Sequence, residues 1–404
     1  MVDTGCVGTQ LLLNGRVYAE AAPRAGALLV AGDSIAWVGA TDTARTLDAD
    51  TVVDLQGALV TPAFVDAYVD VDGIAARDGY DRATVLAQAA SLGVACLQDV
   101  SAGGDGVYPT VAPKAAPTGS SRVPTASPIV IAIPHPGSAP SRPDYAATVR
   151  AGGQPVLAVD GPADVMAAAD SLEATARSVG ADRLIAATPR VEGLVRAPGA
   201  TPVTYQRLAG CGAVVVTPGG FMPPSGATPR VRAEATDLAG LANAGVPLAL
   251  GSWQGTTTED PPEAGGAASG YHWSPWSTVW AAANRHAARS GSSSGGPCEG
   301  DGEVEGEGDG VSVRAAFRAH TVGGWRAARC TGVGRLEPGA PATYAVWQAG
   351  AVVVAAPDGR IQRWSTDPRS AVPGLPDLSR PEGPPRCLRT VVGGVVIYDD
   401  FGGL

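Results

Sequence analysis

Few residues in this chain are equipped for chemistry. Imidazole is limited to His135, His272, His286 and His320, and Lys114 is the only lysine among 29 basic residues. The six cysteines, Cys6, Cys96, Cys211, Cys298, Cys330 and Cys387, are scattered singly. Without a C-x-x-C pair they signal neither a zinc knuckle nor a disulfide framework. Carboxylates are the richer resource. Asp66 and Asp70 lie four apart in the run ALVTPAFVDAYVD, and in a strand that spacing puts both on one face. With Asp72 and Asp99 they form an oxygen set suited to a hard cation such as Mg²⁺ or Ca²⁺. They also suit a metal-free acid and base pair, with burial near Trp253 raising one pKa. The plainer expectation for the same four is capping and solvation at a loop rim, with no cofactor held.

Other motifs carry less. SAGGDG and TPGG are neither G-x-G-x-x-G nor a Walker loop, so they do not cradle phosphate. Ser252 is not on a nucleophile elbow, because Leu250 stands where that motif needs glycine. Trp273, Trp276 and Trp280 recur at spacings of three and four, one face of a helix, and packing is the expected use.

The elements that must position these residues fall into two textures. At both ends, LLLNGRVY, GALLVAGDSIAWVGA and TVVDLQG, then ATYAVWQAGAVVVAAP, IQRWS and RTVVGGVVIYD, are β-rich. Asn14-Gly15 and Gly32-Asp33 read as hairpin turns. Each end is too small to bury a core alone, so the two are expected to pair into one sandwich. Between them, short apolar runs alternate with Ala-rich helical stretches, the pattern of a parallel sheet with crossover helices. The runs are ALVTPAFVDAY, GVACLQDV, SPIVIAIPH, QPVLAVD, DRLIAATP, GAVVVTP and GVPLALGS. Helices are expected at 81–92, 162–179, 203–209 and 233–244. The fold class is α/β, a (β/α)₈ TIM-type barrel with one strand missing or distorted unless 105–122 supplies it, plus a small β-sandwich from both termini. The expected boundaries are 1–60 with 332–404 for the sandwich and 61–331 for the barrel, with 287–310 a mobile Gly/Ser/acidic loop. That loop's acids, Glu299 to Asp309, lack EF-hand spacing.

A net charge of −10 and a pI near 4.9 argue against nucleic-acid and anionic-membrane partners. The N-terminus has no signal-like apolar stretch and no run is long enough to span a bilayer, so a cytoplasmic protein is expected.

NGRVY…VVDLQGALVTPAFVDAYVD, ASLGVACLQDV, RLIAATPRVEG, LANAGVPLALGS and the C-terminal AHTVGGWRAARCTGVGRLEPGAPATYAVW together resemble the amidohydrolase superfamily, in particular its YtcJ-like branch. The resemblance implies a barrel with a composite sandwich and a metal-dependent hydrolase of carbon–nitrogen bonds. It places zinc ligands at strand ends, where imidazole and carboxylate lower the pKa of a bound water. At the matching positions this chain departs. Tyr68 and Asp70 stand for His-x-His, Leu157 stands at or near a further His, Glu192-Gly193 replaces Glu-His, and Trp253 replaces the Asp of Gly-Ser-Asp. Tyr68, Asp70, Asp99, Leu157, Glu192, Gly193 and Trp253 are therefore read as a degenerate pocket with no metal. His320 matches a position that packs barrel to sandwich. The expectation is a non-catalytic protein that binds an unknown protein or small-molecule partner, with a homo-oligomer as one form it could take. The alternative is a divergent hydrolase of a small amide.

Overall fold

The computed structural model describes residues 8–101, 129–132, 144–159, 162–193, 202–218, 236–253, 274–283, 310–330, 332–353, 372–378 and 384–401. The β-rich runs at the start become Thr9–Leu13 (β1), Arg16–Val17 (β2), Ala27–Ala31 (β3), Ser34–Gly39 (β4), Thr51–Asp54 (β5) and Leu59–Pro62 (β6). Gly32-Asp33 turns the antiparallel β3–β4 hairpin as its sequence suggests. Asn14-Gly15 does not make a hairpin. There the chain changes sheets: β1 pairs with β3 and β5, whereas β2 pairs with β6. The approach at this crossing is close: a Cβ on Gly15 would displace the end of the Leu55 side chain and lie 3.0 Å from the Ala58 carbonyl oxygen.

Seven strands follow: Phe64–Val69 (β7), Val94–Asp99 (β8), Ile129–Ala132 (β9), Val156–Val159 (β10), Arg190–Gly193 (β11), Val214–Pro218 (β12) and Leu248–Gly251 (β13). They form two parallel arcs, β7-β8-β9 and β10-β11-β12-β13. The arcs meet where the Trp253 N–H, just past β13, donates to the Tyr68 carbonyl of β7 at 2.9 Å. Gly251 permits this, because a Cβ there would lie 2.6 Å from the Tyr68 nitrogen. Among the described residues no ladder joins β9 to β10, and 105–122 lies outside them.

The helices are Thr41–Ala44 (α1), Val71–Asp78 (α2), Arg82–Ser91 (α3), Tyr145–Arg150 (α4), Pro162–Val179 (α5), Ala181–Ala187 (α6), Pro202–Gly210 (α7), Leu238–Asn243 (α8), Pro275–Ala283 (α9), Val313–Arg318 (α10), a π-turn at Ala319–Gly323 and Gly324–Ala327 (α11). Side-chain caps start several of them: Asp70, Asp81, Asp144 and Asp237 each accept the N–H three residues on. One expected strand is corrected. DRLIAATP is helical, with Leu184 and Ala187 burying one face of α6, and the strand is the RVEG that follows. An apolar run this short does not distinguish helix from strand by periodicity.

The C-terminal strands are Tyr344–Gln348 (β14), Val352–Val353 (β15), Leu375–Pro376 (β16), Arg386–Val392 (β17) and Val395–Asp399 (β18). They unite with the N-terminal segment in one sheet of order β18-β17-β14-β6-β2, while β4-β3-β1-β5 forms a second. Leu12, Leu28 and Ile35 pack with Val60, Val346 and Leu388 between the two sheets. A ring cluster of Phe64, Trp276, Phe317 and Trp347 joins this sandwich to the strands of the barrel region. No described helix is long and apolar enough to cross a membrane.

Candidate functional site at the strand ends

Alternation along β10 to β13 sorts side chains between two layers. Leu157, Val159, Val191 and Val215 pack outward against helices α4 to α8. Their neighbours Arg190, Glu192, Val214, Val216 and Ala249 therefore face inward. Leu157 is thus in the outer layer. The inward position on β10 is Ala158, which pairs in register with Glu192.

Arg190 and Glu192 are both fully or almost fully buried. The guanidinium meets Glu192 Oε1 at 2.6 Å from its terminal nitrogen and at 2.7 Å from Nε. It also donates to Gln98 Oε1 on β8, and to the Ala67 carbonyl on β7 at 2.9 Å. Gln98 in turn donates to the Gly324 carbonyl at 2.6 Å. One buried arginine therefore ties β11, β8 and β7 together, and Gln98 extends the link to α11. Glu192 Oε2 is buried without a hydrogen-bond partner among the described residues. Arg190 and Gln98 escape a search for catalytic types; Arg190 and Glu192 alternating with Val191 are a local signal for the ion pair, but nothing local shows that the guanidinium reaches Gln98 on another strand. Gly193 ends the strand at φ 127°, with Val159 O standing where a Cβ would need to go.

Above this network the Tyr68 and Trp253 rings stack, 4.0 Å between centroids and 8° from parallel. Tyr68 is buried, and burial first and the Glu192 charge second push its phenol well above the usual range. Trp253 is half-buried and holds φ 56°. That left-handed conformation is an outlier for so bulky a residue.

The four aspartates do not converge. Asp66 Oδ1 accepts the N–H groups of Tyr68 at 3.2 Å and Ser252 at 2.8 Å, which helps to pin β13 to β7. Asp70 caps α2 through Gly73 N–H at 2.7 Å. Burial raises its pKa, and Asp99 and Asp72 add to the rise against the opposing Gly73 bond. Asp99 accepts from the N–H groups of Val71 and Ser101, at 3.1 and 3.0 Å, and pairs with Arg82, which also holds Asp72 at 2.6 Å. The expected hard-cation set is thus divided among separate structural tasks.

His320 is buried in the π-turn, its ring edge-on to Phe64 and its Nδ1 3.5 Å from the Val65 carbonyl. Burial depresses its pKa to about 3. Trp276 packs in the core, and Cys96, Cys211, Cys330 and Cys387 are buried free thiols. His135, His272, His286, Lys114, Trp273, Cys6, Cys298 and nearly all of the 287–310 loop lie outside the described residues.

A zinc site of the kind the resemblance implies needs several imidazole and carboxylate ligands around one point. Among the described residues no such group of three His, Cys, Asp or Glu is present. At the positions the resemblance assigns to ligands, the described residues supply the Tyr68 phenol, the Trp253 indole, Ala158 and two carboxylates already engaged, Asp70 as a helix cap and Glu192 by a guanidinium. That donor set does not fit zinc.

The model of a family described as the amidohydrolase family matches residues 142–398. No curated protein matches the chain. Among solved structures, a triazine hydrolase variant is 15% identical with a TM-score of 0.54, covering 97% of this chain and 95% of its own. A mutant of atrazine chlorohydrolase from Arthrobacter aurescens TC1, complexed with zinc and atraton, is also 15% identical, with a TM-score of 0.55 and the same coverage. N-isopropylammelide isopropylaminohydrolase from Burkholderia multivorans is 16% identical with a TM-score of 0.50, covering 96% of this chain and 98% of its own. These likenesses extend over both the parallel strands and the sandwich, and the family match spans well over half the sequence: the chain belongs to the amidohydrolase family.

Proposed function

We propose that this amidohydrolase-family protein has lost its metal site and binds a ligand at the strand ends without hydrolysing it. The observation that carries this reading is the Tyr68–Trp253 stack, in which two aromatic rings stand where the resemblance implies a histidine and an aspartate ligand. A stacked pair of this kind excludes a bound ion and its water from the space it fills, and neither ring supplies a donor of the right chemistry. The aspartates that remain nearby serve as caps and ion-pair partners, which supports the same reading.

The test is elemental analysis of protein purified without chelator, together with a panel of small amides, ureas and N-substituted heterocycles. The expected result is substoichiometric zinc and no turnover that depends on Asp70 or Glu192. Stoichiometric zinc lost on Asp70→Ala, or amide turnover abolished by that change, would overturn the proposal in favour of a divergent carbon–nitrogen hydrolase.

A further inference from the structure

The Asn14-Gly15 step between β1 and β2 carries a chemistry that the strand-end site does not use. The sequence holds three asparagines, Asn14, Asn243 and Asn284, and Asn14 alone precedes a glycine. Asparagine is a thermolabile residue, and with no side chain on the residue that follows, the next backbone nitrogen reaches its Cγ with the least hindrance. The reaction is spontaneous. The Gly15 nitrogen, after losing its proton, bonds to Asn14 Cγ while the bond from Cγ to Nδ2 breaks, so that ammonia leaves and a five-membered succinimide remains. Water then opens one of the two ring carbonyls, giving an aspartyl or an isoaspartyl residue at position 14.

The groups that must move in that step are all held. The Asn14 carbonyl accepts the Gly57 N–H at 2.7 Å, and the Gly15 N–H of the same peptide unit donates to the Gly26 carbonyl at 2.9 Å. Asn14 Nδ2 donates to Asp54 Oδ1 at 3.0 Å, and Asn14 Oδ1 accepts from Arg45 at 3.4 Å. The backbone of Asn14 is left-handed at φ 58°, a conformation asparagine adopts more readily than most residues. Bringing the Gly15 nitrogen onto Cγ requires turning this peptide and the side chain toward each other, which breaks these bonds where the chain passes from one sheet of the sandwich to the other. The product does not restore them. A carboxylate at position 14 sets a second negative oxygen against Asp54 in place of the Nδ2 donor, and the isoaspartyl form also lengthens the backbone by one methylene. We infer that Asn14 is a deamidation site gated by the fold: it reacts when the β1–β2 crossing opens, and its conversion leaves that crossing less stable.

Peptide-resolved mass spectrometry of the full chain in mildly alkaline buffer, native and in guanidinium chloride, tests this. The expected result is that Asn14 deamidates at least about tenfold more slowly in the native protein, because local openings of a hydrogen-bonded segment are minor states. Asp54→Ala raises the native rate severalfold and leaves the rate in denaturant unchanged. Asn14→Asp, which carries the product's charge, lowers the melting temperature by about 2 °C or more. Equal Asn14 rates in the native and denatured chain, or an Asn14 rate in denaturant no higher than that of Asn243, would overturn the inference, and this comparison stands if Asp54→Ala does not fold. A folded Asp54→Ala protein with the parent's native rate would overturn the gating by the side-chain clasp, and an Asn14→Asp melting temperature equal to the parent's would overturn the loss of stability.

Discussion

Arg190 and Glu192, two residues apart on β11, point to the same side of the strand and meet at 2.6 Å with essentially no solvent contact. A buried pair of this kind is strongly asymmetric in its energetics: removing one partner strands the other charge, whereas replacing both with apolar groups is often neutral. Arg190→Leu should lower unfolding free energy by about 3–5 kcal/mol in urea titrations, because it leaves the Glu192 carboxylate without its counter-ion. The double variant Arg190→Leu with Glu192→Leu should recover most of that loss. Additive losses in the double variant would show that the pair is not the principal bond of this network.

Gly193 should tolerate no side chain. Its φ of 127° and the closeness of Val159 O to the direction a Cβ would take are both set by the β10–β11 register. Gly193→Ala is expected to cost at least about 2 kcal/mol, the scale of forced backbone strain. Thermal denaturation checks it, and a melting temperature matching the parent protein would contradict the close approach.

His320 gives the fold a defined acid sensitivity. Its folded-state pKa of about 3 lies below its ordinary value of 6.5, so the unfolded chain binds the extra proton between those limits. Its contribution to stability is therefore complete above about pH 6.5 and declines as pH falls toward 3. The slope is about 1.4 kcal/mol per pH unit in that window. His320→Gln should flatten the stability profile between about pH 6 and about pH 4 relative to the parent. Parallel profiles for the two proteins would refute the assignment.

If no structural metal is bound, chelation should not matter. Dialysis against EDTA is expected to leave the melting temperature within about 1 °C, since loss of a tightly held ion would remove roughly 3 kcal/mol or more. A fall of about 5 °C or more would show that a metal contributes to folding.

The strands and helices of the middle region are largely legible in the sequence, because apolar runs and Ala-rich stretches obey different periods. DRLIAATP defeats that reading for a definite reason: with Leu184 and Ala187 three apart, seven residues fit a helix face as well as a buried strand. The crossing at Asn14-Gly15 is hidden too, because a local turn signal does not show which sheet the next strand will join. At the strand ends, the family resemblance points to Tyr68, Glu192 and Trp253. It also points to Leu157, but the structure turns that side chain toward the helices and leaves Ala158 inward. Arg190 and Gln98 are harder to find because their roles arise from three strands meeting, and no local pattern records that encounter.

The pairing of β6 with β14 sets Leu59 against Trp347, and Trp347 also donates its indole N–H to Thr61 at 2.9 Å. During synthesis the first half of this seam must wait until β14, far along the chain, has left the ribosome. Until then β6 remains an open edge able to pair with another nascent chain. Truncation before β14 should therefore yield aggregates rather than a smaller soluble protein, and yields of intact protein should rise when translation is slowed by low temperature.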